Sequence, residues 1–292
     1  MHLTSPVRRL VAALMALEKD LSLANRLVAA LPAPQRAVFL EHCERVELKL
    51  HDTLIHTGDV LDYAYFPLDS FVAVVMPADD APSAQVGMVG NEGMFPASLV
   101  LGVSTGAFDV RVQGAGHAFR IQRRALQSLL HADAWLQDVL NRYISVRQAQ
   151  LAQQSVCLHS HAVEQRLARW LLMTRDRAHS SELFFTHEAL ASMLGVRRES
   201  VSRMARNFEK LGLISYSHGY IMLLDEAGLE KLSCRCYQAN LRIYATTLGS
   251  AGDDDFSGYL RAYEQESTVT SLHKQDAPGK EPLDWASALM TA

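Results

Sequence analysis

Residues 186–209 read Thr-His-Glu-Ala-Leu-Ala-Ser-Met-Leu-Gly-Val-Arg-Arg-Glu-Ser-Val-Ser-Arg-Met-Ala-Arg-Asn-Phe-Glu, and this stretch decides the fold. The order of residues is typical of a helix, a glycine turn and a second, basic helix. Two crossed helices pack closely where small or β-branched residues meet, and Ala191, Gly195 and Val201 have a suitable spacing. Further apolar contacts are expected from Leu190, Leu194, Val196 and Met204. The stretch therefore predicts a helix-turn-helix.

The second helix carries a group of charged and polar residues on one side. Arginine, glutamate and serine side chains suit phosphates and base edges in the major groove. The outward group consists of Arg197, Arg198, Glu199, Ser202 and Arg203. An ordinary helical hairpin with a solvated charged face is the alternative. The helix-packing residues, the charge cluster and the hairpin that follows together favour DNA binding.

The charge of the chain is unevenly distributed. The sequence has 292 residues, room for about two domains, with 49% hydrophobic residues, 21% charged residues and a net charge of −4. Residues 251–292 contain eight acidic and three basic residues, whereas residues 195–210 contain five basic and two acidic residues. A local positive field is sufficient for a protein that contacts DNA with one helix per subunit.

Cysteine usage and hydropathy predict a cytoplasmic protein with reduced thiols and no membrane partner. The four cysteines are Cys43, Cys157, Cys234 and Cys236. The apolar run Leu10–Leu17 ends in charged residues without a cleavage site for a signal peptidase. No uncharged stretch reaches the ~18–20 residues that a membrane span needs.

Composition and periodicity divide the chain into five segments. We expect an N-terminal helical segment over residues 1–34, which includes a helical pattern over 3–31, and a β-rich domain over 35–132. A long helix over 133–160, a DNA-binding domain over 161–248 and an acidic, mobile tail over 249–292 follow. The expected strands of the β-rich domain lie at Val46–Leu50, Tyr63–Phe66, Phe71–Met76, Val110–Val112 and His117–Ile121. Their spacing predicts a sandwich or barrel.

The helical pattern over residues 133–160 is longer than an ordinary globular helix. Apolar residues recur in it without an intervening glycine or proline. A helix of this length is typical of a dimer seam, and helix-turn-helix proteins usually bind two half-sites. The alternative is a single long core helix. We expect a homodimer that pairs through residues 133–160.

A wing and a closing helix are predicted after the helix-turn-helix. Leu213–Leu224 fits two strands around a Ser-His-Gly turn, and Glu226–Tyr244 fits one helix. On a helix, the thiols of Cys234-Arg-Cys236 would point about 200° apart, which is poor for joint chelation. Packing is therefore favoured over a redox or metal role for this pair, and no metal site is predicted.

This order of parts resembles the Crp/Fnr (catabolite activator and fumarate-nitrate reductase regulator) superfamily. The resemblance covers residues 25–240. It is strongest in Glu-Gln-Arg-Leu-Ala-Arg-Trp-Leu-Leu (164–172), Leu-Gly-Val-Arg-Arg (194–198), Gly-Leu-Ile-Ser-Tyr (212–216) and Gly-Tyr-Ile-Met (219–222). Looser matches are Thr57-Gly58, Tyr65-Phe66 and Gly-Asn-Glu-Gly (90–93).

The resemblance implies an α+β fold and a DNA-binding dimer. The fold has an N-terminal β-roll of the cyclic-nucleotide-binding jelly-roll type, a long dimerisation helix and a C-terminal winged helix-turn-helix. A homodimer would bind a two-fold symmetric site on double-stranded DNA, and RNA polymerase is an expected partner. Arg198, Glu199 and the Ser202-Arg203 pair match base-reading positions of the family. The candidate phosphate-binding residues are Thr186, Arg197, Ser200 and His218.

The effector pocket of the family matches this sequence poorly. Glu92 corresponds to the ribose-binding glutamate, but Phe108 and Asp109 fall at the phosphate-facing positions, where a carboxylate would repel phosphate. Arg111 would need a shifted strand register to contribute. Classical cAMP binding is therefore not expected. An iron–sulfur cluster needs about four cysteine ligands, and the N-terminal half has only Cys43.

No cofactor is predicted, although the histidines of the N-terminal half, His42, His51, His56 and His117, leave haem open.

We expect a transcription regulator and not an enzyme, because no nucleophile–base set, phosphate loop or metal-ligand spacing is evident. Two alternatives stay open. One is an enzyme that retains this architecture, and the other is a small-ligand or cyclic-nucleotide-binding module whose helix-turn-helix is mainly structural. The orientation of Asp109 towards or away from a pocket would bear on ligand binding.

Overall fold

A computed structural model describes residues 23–78 and 83–249 of the chain. The predicted helix over residues 3–31 lies mostly outside the described residues, and so does the predicted tail from residue 250 onward. At the start of the described part, Asn25 caps a short helix α1 (Arg26–Ala29) by accepting hydrogen bonds from the backbone of Leu27 and Val28. Helix α2 (Ala33–Glu41) follows.

Seven strands and a 3-10 helix build the described part of the N-terminal domain. All strand pairs are antiparallel, in two sheets of order β1-β7-β3 and β2-β6-β4-β5. The strands are β1 (Cys43–Leu48), β2 (Thr53–Ile55), β3 (Tyr63–Pro67), β4 (Phe71–Met76), β5 (Ala84–Val89), β6 (Asp109–Gly114) and β7 (Gly116–Gln122). The 3-10 helix spans Ala97–Leu101. The predicted β-rich domain is confirmed, but β2 and β5 were not predicted.

Inward-facing side chains of the strands form the core of this domain. Val72, Val112 and Ile121 are almost fully buried. Phe39 of α2 packs edge-on against Phe66 of β3, with ring centroids 5.1 Å apart. Each large apolar side chain that is buried in this way contributes about 1.5–3 kcal/mol to stability.

Two helices follow the β domain, α3 (Arg123–Ala132) and α4 (Ala134–Ser160). Asp133 separates them and caps α4, because its carboxylate accepts hydrogen bonds from the backbone of Trp135 and Leu136 at 2.9 and 3.3 Å. The apolar residues in the first half of α4 are buried within their own chain: Leu136, Val139, Leu140 and Tyr143. A dimer seam therefore cannot use these four side chains, and only other faces of α4 are exposed.

The C-terminal domain is a winged helix-turn-helix. Its elements are α5 (Val163–Ala178), β8 (Glu182–Phe184), α6 (His187–Leu194), α7 (Arg198–Lys210), β9 (Ile214–Ser217) and β10 (Tyr220–Leu223), with sheet order β8-β10-β9. A two-residue turn joins β9 to β10, and His218 and Gly219 in it both have positive φ angles, 51° and 92°. Positive φ at both central residues defines a type I′ turn, which matches the twist of a hairpin.

The predicted single closing helix over residues 226–244 is wrong. The chain forms two helices, α8 (Glu226–Leu232) and α9 (Cys236–Leu248). Ser233 ends α8 because its backbone is extended and its hydroxyl donates to the carbonyl oxygen of Glu230 at 2.8 Å. Cys234 consequently lies in the break and Cys236 at the start of α9, so the helical geometry assumed for this pair does not apply.

The α+β fold class is confirmed, with the β-rich domain first and the helix-turn-helix last. Within the described ranges, no helix is both long and apolar enough to cross a membrane.

Gly195 ends α6 with a left-handed backbone, φ 65° and ψ 41°, and a Cβ built there meets no atom within 4 Å. The glycine is thus required by the turn and not by close helix packing, which corrects the role inferred from its spacing. Gly195→Ala should lower the free energy of unfolding by about 1–2 kcal/mol, because an L side chain is strained in this region. Gly195→Asn should lose less, since asparagine tolerates positive φ. Urea denaturation of the three proteins measures the difference, and equal losses for both variants would contradict the explanation.

Candidate nucleic-acid interface

One face of α7 is buried against α6 and the rest of its domain. Val201, Met204, Ala205 and Phe208 point inwards at helical spacing and meet Leu190, Ala191 and Leu194 of α6 in the same core. Because the apolar residues occupy one side of α7, the polar residues between them are forced to the opposite side. The burial of these apolar side chains therefore sets the orientation of α7, here called the recognition helix.

The exposed side of α7 presents arginines that have no acidic partner. Arg197, Arg198, Glu199 and Arg203 are all exposed. None of the ion pairs formed within residues 23–78 and 83–249 involves Arg197, Arg198 or Arg203. Unpaired guanidinium groups on one surface attract an anionic ligand and offer a fork that fits phosphate or guanine.

Ser202 is placed differently from its predicted base-reading role. The side chain is half-buried, and its hydroxyl lies 2.9 Å from Nδ1 of His187. The same hydroxyl donates to the carbonyl oxygen of Arg198 at 3.1 Å. The Ser202 hydroxyl is thus engaged by two groups of its own domain, the His187 ring and the Arg198 carbonyl.

The predicted phosphate contacts lie at the ends of elements. Thr186 caps α6, where its hydroxyl oxygen accepts from the backbone of Ala189 at 3.2 Å and keeps its own proton for a ligand. The half-buried Ser200 is in the first turn of α7, and His218 is exposed at the tip of the wing. The N-termini of both helices point backbone N–H groups outwards, as phosphate binding requires.

His187 joins three parts of this domain and was not predicted from sequence. Besides the bond to Ser202, its ring stacks on Tyr216 of β9 with centroids 4.2 Å apart and an interplanar angle of 18°. The Tyr216 hydroxyl in turn donates to the carbonyl oxygen of Phe185 at 3.2 Å. Burial and the positive charge of Arg198 lower the pKa of His187. The ring connects the start of α6, the recognition helix and the wing.

Loop 90–93 (Gly90-Asn91-Glu92-Gly93) makes contacts with the helices, and its Asn91 and Glu92 line an open cavity beside α5 and α9. Glu92 Oε1 forms an ion pair with Arg177 of α5 at 2.7 Å, with side-chain exposures of 14% and 9%. The backbone of Gly90 donates to the other carboxylate oxygen at 3.0 Å, and the Tyr244 hydroxyl of α9 donates to the Glu92 carbonyl at 2.8 Å. The carboxylate of Glu92 is therefore engaged with Arg177 and the Gly90 backbone, and its ribose-binding role stays a prediction.

Asp109 and Arg111 bind each other, and Arg111 also lines an open cavity beside β6. Asp109 accepts hydrogen bonds from the backbone and hydroxyl of Thr57 at 3.0 and 3.2 Å, and from Arg111 at 3.0 Å. The backbone hydrogen bond from Thr57 and the nearby Arg111 lower the pKa of Asp109. Asp109 thus holds the loop between β2 and β3, and its place in an effector pocket stays a prediction.

A cavity of about 710 Å³, counting its open mouth, lies between the β domain and α4. Of the four predicted effector residues, only Phe108 lines it; Glu92, Asp109 and Arg111 do not. Among the described residues that line it, the single charged one is Arg147 of α4, which donates to the Met88 carbonyl at 3.1 Å and to Gln150 at 2.9 Å. The cavity is therefore mainly apolar.

One group of side chains in the described part of the chain could hold a metal ion. It consists of Cys157, His161, Cys234 and Cys236, whose ligand atoms all lie within 4.8 Å of one another. The sequence interpretation of Cys234 and Cys236 as packing residues assumed a continuous helix, which the break between α8 and α9 removes.

Comparisons with known proteins agree with this architecture. Residues 165–232 match the family model of the Crp-like helix-turn-helix domain. The c-di-GMP responsive global regulator CLP of Xanthomonas campestris is 19% identical, with a TM-score of 0.55 over 66% of this chain and 100% of its own. Residues 165–232 therefore form a Crp-like helix-turn-helix domain, and the described chain has a fold similar to that of this regulator.

Other Crp/Fnr structures have the same fold. FixK2 of Bradyrhizobium japonicum is 14% identical, with a TM-score of 0.56 over 66% of this chain and 98% of its own. A Crp/Fnr-family transcriptional regulator of Thermus thermophilus is 22% identical, with a TM-score of 0.55 over 65% and 98% of the two chains. A search of curated proteins finds no significant match.

Removing Glu92 should destabilise this chain markedly, because the buried guanidinium of Arg177 would lose its carboxylate partner. Glu92→Ala is expected to lower the free energy of unfolding by about 3 kcal/mol in chemical denaturation. Asp62→Ala is the control: the Asp62 side chain is 68% exposed, and its carboxylate lies 3.7 Å from the Arg123 guanidinium. That variant should change stability by less than about 1 kcal/mol. Similar losses in the two variants would contradict a buried role for Glu92.

The lowered pKa of His187 gives stability a pH dependence. The folded protein binds a proton at His187 more weakly than the unfolded chain, so its contribution falls as pH drops below the unfolded value of about 6.5. The stability advantage of the wild type over His187→Gln should therefore shrink as the pH falls from about 7.5 to about 5.5, a range that includes the unfolded pKa. Urea midpoints across this range measure it. An unchanged difference for His187→Gln across this range would refute the prediction.

Proposed function

We propose that this chain is a sequence-specific DNA-binding transcription regulator that acts as a homodimer on a two-fold symmetric site. One observation carries the proposal: a Crp-like helix-turn-helix exposes Arg197, just before α7, and Arg198 and Arg203 on α7, and none of them has an acidic partner among the described residues. A structural helical hairpin would be stable with neutral or ion-paired residues there. Arginine and glutamate side chains in the major groove distinguish base pairs.

An exposed face of α4 supports the homodimer. Ser145, Ala149, Ala152 and Val156 are exposed on it at spacings of four, three and four residues. This spacing is the heptad repeat that two parallel helices use, and small side chains allow close approach. The buried apolar residues of α4 serve the core of their own chain. The proposed seam therefore uses a different stripe of the helix from the one suggested by its most hydrophobic residues.

We propose that the effector of this regulator is not a cyclic nucleotide. A cyclic phosphate needs a free cation, whereas Arg111 is bound to Asp109 and Arg147 is bound to Met88 and Gln150. Two of the residues that the family would use, Glu92 and Asp109, are engaged in internal contacts. We further propose a regulator without enzymatic activity, located in the cytoplasm, with RNA polymerase as a partner.

Selection of oligonucleotides by the purified protein tests the proposal. A two-fold symmetric sequence should be enriched, and sedimentation should give twice the chain mass of 32.4 kDa. If the helix-turn-helix were mainly structural, no sequence would be enriched above the starting pool. A monomer that enriches a single half-site would overturn the homodimer but keep the DNA-binding function.

Arg203 should contribute to sequence preference. Arg203→Ala is expected to cost about 1–3 kcal/mol of binding free energy on the selected site, and to relax the preference at one base pair of each half-site. Arg242→Ala, which removes an exposed arginine of α9, is the charge-matched control and should change affinity less than about twofold. Fluorescence anisotropy with selected and scrambled DNA measures both. Equal weakening on the two DNAs would contradict base reading by Arg203.

A further inference from the structure

The group Cys157, His161, Cys234 and Cys236, here called the thiol cluster, brings together two distant parts of the chain. Cys157 lies in the last turn of α4 and His161 follows that helix, while Cys234 lies in the break before α9 and Cys236 begins α9. The sulfur atoms of Cys157 and Cys234 are 3.5 Å apart. Cys236 Sγ lies 3.4 Å from His161 Nδ1. All four ligand atoms lie within 4.8 Å of one another.

These separations match a tetrahedral site for one metal ion. Zinc bonds of about 2.3 Å to sulfur and 2.0–2.1 Å to nitrogen place neighbouring ligand atoms about 3.4–3.8 Å apart. The three cysteines are 0%, 3% and 2% exposed, so water has little access to the sulfur atoms. A closed set of three thiolates and one imidazole is typical of structural zinc, which keeps no open position.

The surroundings of the thiol cluster supply the charge balance of a zinc–thiolate centre. Arg169 of α5 is 7% exposed and donates from Nη1 to Cys157 Sγ at 3.4 Å. No ion pair within the described ranges involves Arg169, and its Nε atom has no hydrogen-bond partner there. A buried guanidinium needs a negative partner, which neutral thiols do not provide. Three thiolates around a divalent ion carry one net negative charge, which the guanidinium neutralises.

A second donor points at the cluster from α4. Gln153 Nε2 donates to Cys236 Sγ at 3.1 Å. Metal-bound thiolates accept hydrogen bonds from neighbouring groups, and such partners orient the ligands. Two of the three sulfur atoms therefore have a donor suited to the thiolate form.

We propose that Cys157, His161, Cys234 and Cys236 bind one Zn²⁺ ion. The ligand types exclude magnesium and calcium, which prefer oxygen, and favour zinc among abundant divalent ions. An iron–sulfur cluster fits less well, because cysteines that bind different irons must stand farther apart than ligands of a single ion. Binding releases the three thiol protons to solvent and changes no oxidation state.

The proposed zinc closes a loop that contains the whole helix-turn-helix. Cys157 and Cys234 are separated by 77 positions in sequence, and the segment between them includes α5, α6, α7 and the wing. A metal bound to both ends ties the break before α9 to the end of α4. Because unfolding would separate the ligands, zinc binding is linked to the stability of this domain.

Metal analysis of the full-length reduced protein tests the site without any DNA. Protein purified from zinc-supplemented cultures should contain about one zinc per chain. After metal removal, Co²⁺ should bind with the same stoichiometry and give the intense visible bands of a tetrahedral thiolate site, with a sulfur-to-cobalt charge-transfer band of three thiolates. Zn²⁺ should then displace Co²⁺. Since DNA is absent, failure here and failure of the proposed function are separate results.

Cysteine variants locate the metal. Cys234→Ser and Cys236→Ser should each weaken zinc binding more than about tenfold, and a competing chelator measures the affinity. Cys43→Ser is the matched control, because Cys43 lies in β1 and its thiol donates to the Phe39 carbonyl. Circular dichroism checks that each variant folds, and the cobalt spectrum of the wild type counts thiolates without any substitution.

Three results would overturn the proposal. One is a cobalt spectrum without thiolate bands in the folded wild type. Another is equal loss of zinc in Cys43→Ser and Cys234→Ser. The third is a disulfide between Cys157 and Cys234 in protein kept under reducing agent, which would make the cluster a redox pair.

Discussion

The packing of α7 against α6 is the constraint on which the DNA-binding surface depends. Val201 and Phe208 are fully buried, so α7 cannot rotate without exposing them. Gly195 sets the angle between the two helices through its positive φ, and the side chains of α7 that cannot fit in the core are left at the surface. His187 adds a polar connection from α6 to Ser202 and to the wing. The arrangement of arginines follows from apolar burial and one backbone conformation.

The charged residues of the β domain contribute to internal structure. Glu92 is bound to Arg177, and Asp109 holds both Arg111 and the loop at Thr57. Both carboxylates could have bound a ligand, but each has a protein partner at hydrogen-bond distance. The cavity beside them is mainly apolar as a result. Such a lining suits a molecule with little charge better than a phosphate ester.

Local patterns predicted the C-terminal domain well, because its signals are short in range. The helix-turn-helix, the wing and the ends set by Thr186 and Gly195 were all evident in sequence. Strands β2 and β5 were missed because one has three residues and the other contains Gln85 and Gly87, which interrupt a hydrophobic pattern. The ion pair of Glu92 with Arg177 joins residues far apart in sequence, so no local pattern contains it. The thiol cluster was missed because the break at Ser233 was not foreseen.

The closeness of Cys157 to Cys234 also describes how the DNA-binding domain is inserted in the chain. The polypeptide leaves α4 and returns to the start of α9 at nearly the same point, 3.5 Å apart at the two sulfur atoms. Helices α4 and α9 pack together and form a common base for everything between them. The two ends of this domain therefore lie side by side. A different DNA-binding domain whose two ends are equally close could replace it without a longer linker and without repacking α4 against the β domain.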